Sequence, residues 1–299
     1  MRVFVTGASG WIGSALVAEL LGAGHQVLGL ARSDAAAEAV TALGAQAHRG
    51  SLDDLGSLRD GAAACEGVVH LGYNHDFSRI AEAAQTDLRA IDALGATLVG
   101  THRPLVVASG VLGLAPGRVA TEQDMPEASL HPRTAGVALA TSFAERGVRS
   151  SSVRFAPTVH GDGDHGFIAT LVAVARAKGV SGYVGDGGNR WPAVHRLDAG
   201  LLVRLAVEDA PPGSALHAVA EEGVATRAIA EAIGAGLGLP VVSVPTEHVG
   251  EHFGWLGRLF AMDARASNSF TRELLGWQPA RPGLLEDLRE GHYFVTRDG

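Results

Sequence analysis

Lysine is all but missing from this 299-residue chain: of its 24 basic residues, every one except Lys178 is arginine. Chemistry that needs a lysine amine, as base or as cation, is confined to that one position. Cysteine is as scarce, with Cys65 alone, which excludes an intrachain disulfide and gives no sign of an oxidising compartment. No apolar stretch reaches the roughly 18 uninterrupted residues a membrane helix requires. Long runs of one charge are also missing and the net charge is −8, so a nucleic-acid-binding surface is not expected. The N-terminus enters a strand-like run at once, without a basic leader or cleavage site. These absences lead to the expectation of a soluble cytoplasmic protein with a small-molecule substrate and neither nucleic-acid nor membrane partners.

What is present is the composition of a well-buried globular enzyme, 46% hydrophobic and 19% charged. Short β-branched runs alternate with Ala/Leu-rich stretches of helical period, the pattern of βαβ units with a parallel sheet. Strands are expected at 2–7, 25–32, 45–50, 67–72, 103–110 and 148–157, and helices at 11–24, 35–44, 78–100 and 134–146. Beyond Pro157 the pattern loosens into a Gly/Asp loop, helices at 167–178, 198–208 and 226–237, and a tail of short elements from Val241. The expected fold is α/β, a Rossmann-type doubly wound parallel sheet with a smaller C-terminal substrate-binding lobe. Residues 1–157 would form the dinucleotide-binding unit and 158–299 mainly the lobe, interwoven with it.

The stretch TGASGWIG (6–13) lies between the first strand and first helix. Gly7 suits a tight turn, Gly10 a close approach of backbone to a pyrophosphate, and Gly13 close packing of helix on strand. The helix N-terminus then offers free N–H groups and a positive dipole to phosphate. At the end of the second strand, where an NAD enzyme usually carries Asp or Glu, stands Ala31, followed by Arg32 and Ser33. A guanidinium and a hydroxyl suit a 2′-phosphate, which favours NADP over NAD. The alternative is a solvated strand end with Asp34 as a helix N-cap.

These residues, with GVVHLGY, VVASGVLG, VRFAPTVHGDGD, WPAVHRLDAG and LLGWQPARPGLLEDL in that order, resemble the extended and atypical short-chain dehydrogenase/reductase superfamily, the NAD(P)-dependent epimerase/dehydratase relatives. The resemblance implies cofactor contacts from Gly7, Ser9, Gly10, Trp11, Ile12, Gly13, Arg32, Ser33, Ser51, Leu52, Leu71, Gly72, Pro157 and Thr158. It makes Ser109 the catalytic serine. It also implies a Tyr-x-x-x-Lys pair, one helical turn apart, and this chain has none. Its tyrosines are Tyr73, Tyr183 and Tyr293, and Val174 stands four residues before Lys178. Where the pair should fall, Arg133 fits either column. As the Tyr it leaves Val137 for the Lys; as the Lys, the preferred placement, it leaves Ser129 for the Tyr. An atypical subgroup with His and Arg in these positions is the better likeness, and His131 is close by.

Arginine stays protonated, so Arg133 can orient or polarise but cannot pass a proton. The proton donor is therefore sought among His131, Tyr73, His75, His160 and His165, expected to cluster at the carboxyl ends of the strands. Arg190, Trp191 and His195 are candidate substrate contacts, with Trp191 equally suited to a core. No metal site is expected: HVGEH (248–252) lacks a third ligand, and HGDGDH (160–165) reads as a turn. Three functions remain open. The first is an NADP(H)-dependent oxidoreductase of a small carbonyl or alcohol; the others are a non-redox cyclase, dehydratase or epimerase, and a cofactor sensor without turnover. The resemblance also allows a homodimer through the helices at 78–100 and 134–146.

Overall fold

The computed structural model describes residues 1–74, 79–125 and 133–295. In chain order the elements are β1 (Arg2–Thr6), α1 (Trp11–Gly22), β2 (Gln26–Ala31), α2 (Asp34–Ala42), β3 (Gln46–Arg49), α3 (Leu55–Ala63), β4 (Gly67–His70), α4 (Ile80–Leu98), β5 (Pro104–Gly110), α5 (Thr134–Ser142) and β6 (Arg149–Phe155). There follow β7 (Thr158–His160), α6 (Phe167–Lys178), β8 (Ser181–Val184), β9 (Arg190–His195), α7 (Arg196–Asp209), β10 (Ser214–Ala218), β11 (Glu221–Ala225), α8 (Thr226–Leu237) and β12 (Val241–Val244). Short helical pieces complete the tail, among them Leu284–Arg289.

Seven strands form one parallel sheet in the order β10-β6-β5-β4-β1-β2-β3. The order reverses between β1 and β4, and a doubly wound sheet offers its ligand crevice at the carboxyl ends of such strands. The middle strands are buried along most of their length, as a sheet covered on both faces demands. Two smaller sheets, β11-β9-β7 and β12-β8, build the C-terminal lobe. Its core includes Trp191, Phe253 and Phe260. The chain then returns to the main layer: β10 extends the large sheet, and α7 packs on α1, where Gly200 would set a Cβ 3.1 Å from the Ala15 backbone.

Two local expectations change. Helix α3 falls in a stretch for which the apolar period gave no signal, because Gly56 and Gly61 interrupt it. Gly61 is required there: a Cβ would meet the Phe4 ring at 2.4 Å. Helix α5 is shorter than the expected 134–146, its last turn tightening to a 3-10 segment at Phe143–Arg146. No helix among the described residues is long and apolar enough to cross a membrane.

Candidate functional site

The glycine loop turns at Gly7, whose φ is +70°, a left-handed conformation natural to glycine. The Gly10 N–H closes the turn on the Gly7 carbonyl at 2.9 Å. A Cβ on Gly7 would lie 2.8 Å from the Gly72 nitrogen, and one on Gly13 only 1.9 Å from the Gly7 oxygen. The loop after β1 and the loop after β4 are thus back to back at the reversal of strand order. Helix α1 starts with Gly10 as N-cap, no capping side chain and no acidic residue in its first turn. Its first N–H groups and its dipole are available to an anion, and the donor set fits the pyrophosphate of a dinucleotide.

Other residues expected to contact a cofactor lie in the segments that follow β1, β3, β4 and β6. Ser9 is exposed, Ile12 is half-buried against the main core, and a Leu52 methyl carbon would stand 3.2 Å from a Cβ on Gly72. Leu71 donates its N–H to the Thr6 carbonyl at 3.3 Å. Ser51 receives the Asp54 N–H at 3.3 Å. Pro157 is half-buried, and the Thr158 hydroxyl beyond it is buried with no hydrogen-bond partner among the described residues. The Trp11 indole is held by the protein itself: its N–H donates to the Val159 carbonyl at 2.7 Å, and the Arg196 guanidinium lies 3.9 Å over its ring. His165 meets the same indole edge-on, 5.6 Å between centroids.

At the end of β2, Ala31 is buried while Arg32 and Ser33 are exposed. The expected capping role of Asp34 belongs to Ser33, whose hydroxyl oxygen accepts the Ala36 N–H at 3.2 Å. Asp34 is the first helical residue and pairs with Arg49 of the neighbouring β3. A serine that caps with a lone pair keeps its own O–H to donate.

Two strands from β1, Ser109 is half-buried at the carboxyl end of β5, adjacent to β4. Tyr73 follows β4, and the Arg133 guanidinium, from the N-cap position of α5, lies 4.1 Å over its ring centroid. Two residues that sequence reasoning missed stand behind them. His70 accepts or donates at both ring nitrogens, 2.8 Å to Thr6 Oγ1 and 3.1 Å to Asp87 Oδ1. Asp87 Oδ2 is 3.5 Å from Arg133 Nε. A signal for both was present: a histidine in an otherwise apolar strand, and an aspartate in the apolar face of α4. Burial pushes the Tyr73 phenol above its usual range, the Arg133 cation opposes this, and Asp87 adds to it.

Among the described residues, His160 departs from the expected cleft cluster. His160 is 1% exposed, its Nδ1 2.8 Å from Asp287, and its ring packs edge-on to His195 at 5.4 Å. This correction has a topological reason: β7 and β9 pair inside the smaller sheet, with His160 opposite His195. Trp191 lies wholly in the lobe core between Phe167 and Phe260, its indole N–H 3.2 Å from the Met262 carbonyl, so it is no pocket wall. Arg190, at the start of β9, is exposed beside Asp263. His75, Ser129 and His131 lie outside the described residues.

A model of the NAD dependent epimerase/dehydratase family matches residues 3–217. The chain belongs to that family. This epimerase/dehydratase-family chain is 46% identical to an uncharacterized protein of Schizosaccharomyces pombe over 296 residues, 98% of this chain and 100% of the relative. It is 29% identical over 228 residues to a 2-alkyl-3-oxoalkanoate reductase of Stenotrophomonas maltophilia, covering 72% and 68% of the two chains. Among solved structures, the UDP-glucose 4-epimerase of Thermus thermophilus in complex with NAD superposes with a TM-score of 0.76 at 22% identity, covering 99% and 100%. At that identity the likeness concerns the fold. In this chain the loop after β1 packs on the loop after β4, and the latter carries Tyr73 beneath the Arg133 guanidinium.

Proposed function

We propose that this chain is an NADP(H)-dependent oxidoreductase that interconverts a small carbonyl compound and its alcohol. The observation that carries the reading is the Tyr73 phenol beneath the Arg133 guanidinium, at the same sheet edge as Ser109 and next to the glycine loop. The similarity to a 2-alkyl-3-oxoalkanoate reductase supports it. When bound, the nicotinamide supplies or accepts the hydride. Ser109 donates a hydrogen bond to the substrate oxygen, where negative charge develops on reduction. Tyr73 gives that oxygen its proton, and Arg133, a permanent cation over the ring, offsets the phenolate charge left behind.

The raised phenol has a consequence for pH. A phenol whose pKa lies above the usual range keeps its proton through neutrality, so carbonyl reduction runs undiminished there and declines only in strong alkali. Alcohol oxidation needs the phenolate and is expected to rise with pH over the same alkaline range. Initial rates in both directions check this.

Tyr73→Phe is expected to lower kcat by about 10²–10⁴-fold, the usual worth of a positioned proton donor. Ser109→Ala should lower it by about 10²-fold. Neither should change the dissociation constant of NADPH appreciably. The test is absorbance at the nicotinamide band with a panel of carbonyl compounds, beside mass analysis for isomers. No cofactor consumption with any carbonyl, or an isomer formed without consumption, would overturn the oxidoreductase in favour of non-redox chemistry.

The preference for NADP rests on the missing acid at Ala31 and on Arg32, exposed beside it. Arg32→Ala should weaken NADPH by about 10–100-fold, the range of one charge-assisted hydrogen bond, and leave NADH almost unchanged. Isothermal titration with both cofactors decides; equal losses would remove Arg32 from 2′-phosphate recognition.

A further inference from the structure

Asp87 is a carboxylate in the apolar face of α4, in line with Ala83, Ala84, Ala90 and Ile91, and is 2% exposed. A buried carboxylate is costly unless it is paired and hydrogen-bonded. His70 and Arg133 supply one partner to each oxygen. The Asp87 carboxylate can only accept, and this sets the direction of the hydrogen bonds. His70 carries its proton on Nε2 and donates it to Asp87 at 3.1 Å. Nδ1 is then the acceptor and takes the proton of the Thr6 hydroxyl at 2.8 Å, while Thr6 Oγ1 accepts the Gly72 backbone N–H at 3.0 Å. The other carboxylate oxygen is left facing the guanidinium.

The backbone is shaped for this approach. Gly136, in the first turn of α5, would with a methyl group meet Ile91 Cδ1 at 2.9 Å and Asp87 Oδ2 at 3.2 Å. Glycine is what lets α5 close on Asp87. An arginine side chain has many rotamers, so a fixed place over an aromatic face needs a fixed partner. Asp87 is such a partner, because it is enclosed and bonded from the strand side.

Building on the reductase reading, we infer that Asp87, anchored through His70 to Thr6, is a positioning residue that holds the Arg133 guanidinium over Tyr73. The anchor starts at the residue before Gly7, so the active-site cation is registered against the same loop that seats the cofactor.

The test uses the full chain labelled with 3-fluorotyrosine, which ionises in an accessible pH range, and follows Tyr73 by fluorine NMR. Tyr73→Phe assigns the signal. Among the described residues the charged groups acting on Tyr73 are Arg133 from the start of α5 and Asp87 from α4. Arg133→Gln removes the cation and should move ionisation to higher pH. For Asp87→Asn the two possibilities have opposite sign. If Asp87 holds Arg133 in place, the freed guanidinium leaves the ring and Tyr73 again ionises at higher pH. The double variant then goes no higher than Arg133→Gln alone. If Asp87 is only a nearby negative charge, its loss lowers the midpoint, and the positioning role is overturned.

Should Asp87→Asn fail to fold, Gly136→Ala displaces the carboxylate with every polar group retained. The same upward shift is expected, and an unchanged midpoint refutes the proposal. In turnover, Asp87→Asn should lower kcat at least about tenfold, leave the cofactor KM within about threefold, and add nothing to Arg133→Gln. The NMR arm needs neither substrate nor cofactor. An upward shift without any carbonyl turnover would sink the reductase reading alone; turnover with a downward shift would sink the positioning role alone.

Discussion

Gly13→Ala is expected to weaken dinucleotide binding by at least about 100-fold, or about 2.7 kcal/mol. The added Cβ would stand 1.9 Å from the Gly7 oxygen, 2.8 Å from the Gly7 carbonyl carbon and 3.0 Å from the Ala8 Cα. All three are backbone atoms, so no side chain can swing aside and the turn itself must open. Opening it moves the first turn of α1, whose uncapped N–H groups are what the loop presents to phosphate. Gly7 cannot yield, because it is itself packed on Gly72. The loss is thus expected in affinity more than in stability, and far-UV circular dichroism should remain near that of the parent. Gly22→Ala, in the last turn of the same helix with nothing within 4 Å of its Cβ position, is the control. It should bind NADPH normally and gain about 0.5–1 kcal/mol of stability. Fluorescence titration with NADPH reads both; a Gly13→Ala protein that binds within about threefold of the parent would detach the loop from cofactor binding.

Asp287→Ala is expected to cost about 3–5 kcal/mol of stability at neutral pH, a large part of a typical total of about 5–15 kcal/mol. The Asp287 carboxylate, from the helix Leu284–Arg289, is 1% exposed and bonded to His160 at 2.8 Å and His292 at 3.0 Å. Next to it the Tyr293 hydroxyl donates to Asp164 at 2.8 Å and receives the Gly161 N–H at 3.3 Å. This knot ties the tail to the loop after β7, and removing the carboxylate takes the acceptor from buried His160 and a hydrogen-bond partner from half-buried His292. Burial pushes the Asp287 carboxyl up, but its hydrogen bonds to His160 and His292 and their charges outweigh that and hold it below its usual range. A folded-state value below the unfolded one, about 3.9, means stabilisation fully present above that pH and lost as pH falls through the folded value. The gap between parent and variant in urea unfolding should therefore be wide at neutral pH and shrink in acid below a pH of about 4. A variant within about 1 kcal/mol of the parent at neutral pH would show that the knot does not pin the tail.

Much of this organisation is written locally and can be read from neighbours in sequence. The alternation of apolar strands with helical periods fixes β1 to β6 and most of their helices to within a few residues, and α6 and α8 match their expected bounds. The glycine pattern is legible because each glycine answers a backbone demand close by in the chain, as at Gly7 and Gly13. Helix α3 was illegible for the converse reason: Gly61 belongs to a helix only because the Phe4 ring occupies the space of its side chain. At the start of α2, two polar residues in succession left the cap ambiguous, and backbone geometry assigned it to Ser33.

The candidate site divides along the same line. Ser109, Tyr73 and Arg133 are visible as residue types at the ends of strands or the start of a helix, where parallel sheets place their chemistry. Which of them meet depends on contacts between residues far apart in the chain, such as Asp87 with Arg133 and His160 with Asp287, 127 positions away. His160 looked like a cleft residue until the pairing of β7 with β9 folded it into a second sheet. By itself the sequence determined the doubly wound fold, the glycine turn between β1 and α1 and the absence of a Tyr–Lys pair, because periodicity, turn chemistry and residue type are local properties. The tertiary structure decided which cation, phenol and carboxylate stand together and which histidines are buried, because burial and ion pairing exist only once distant segments pack.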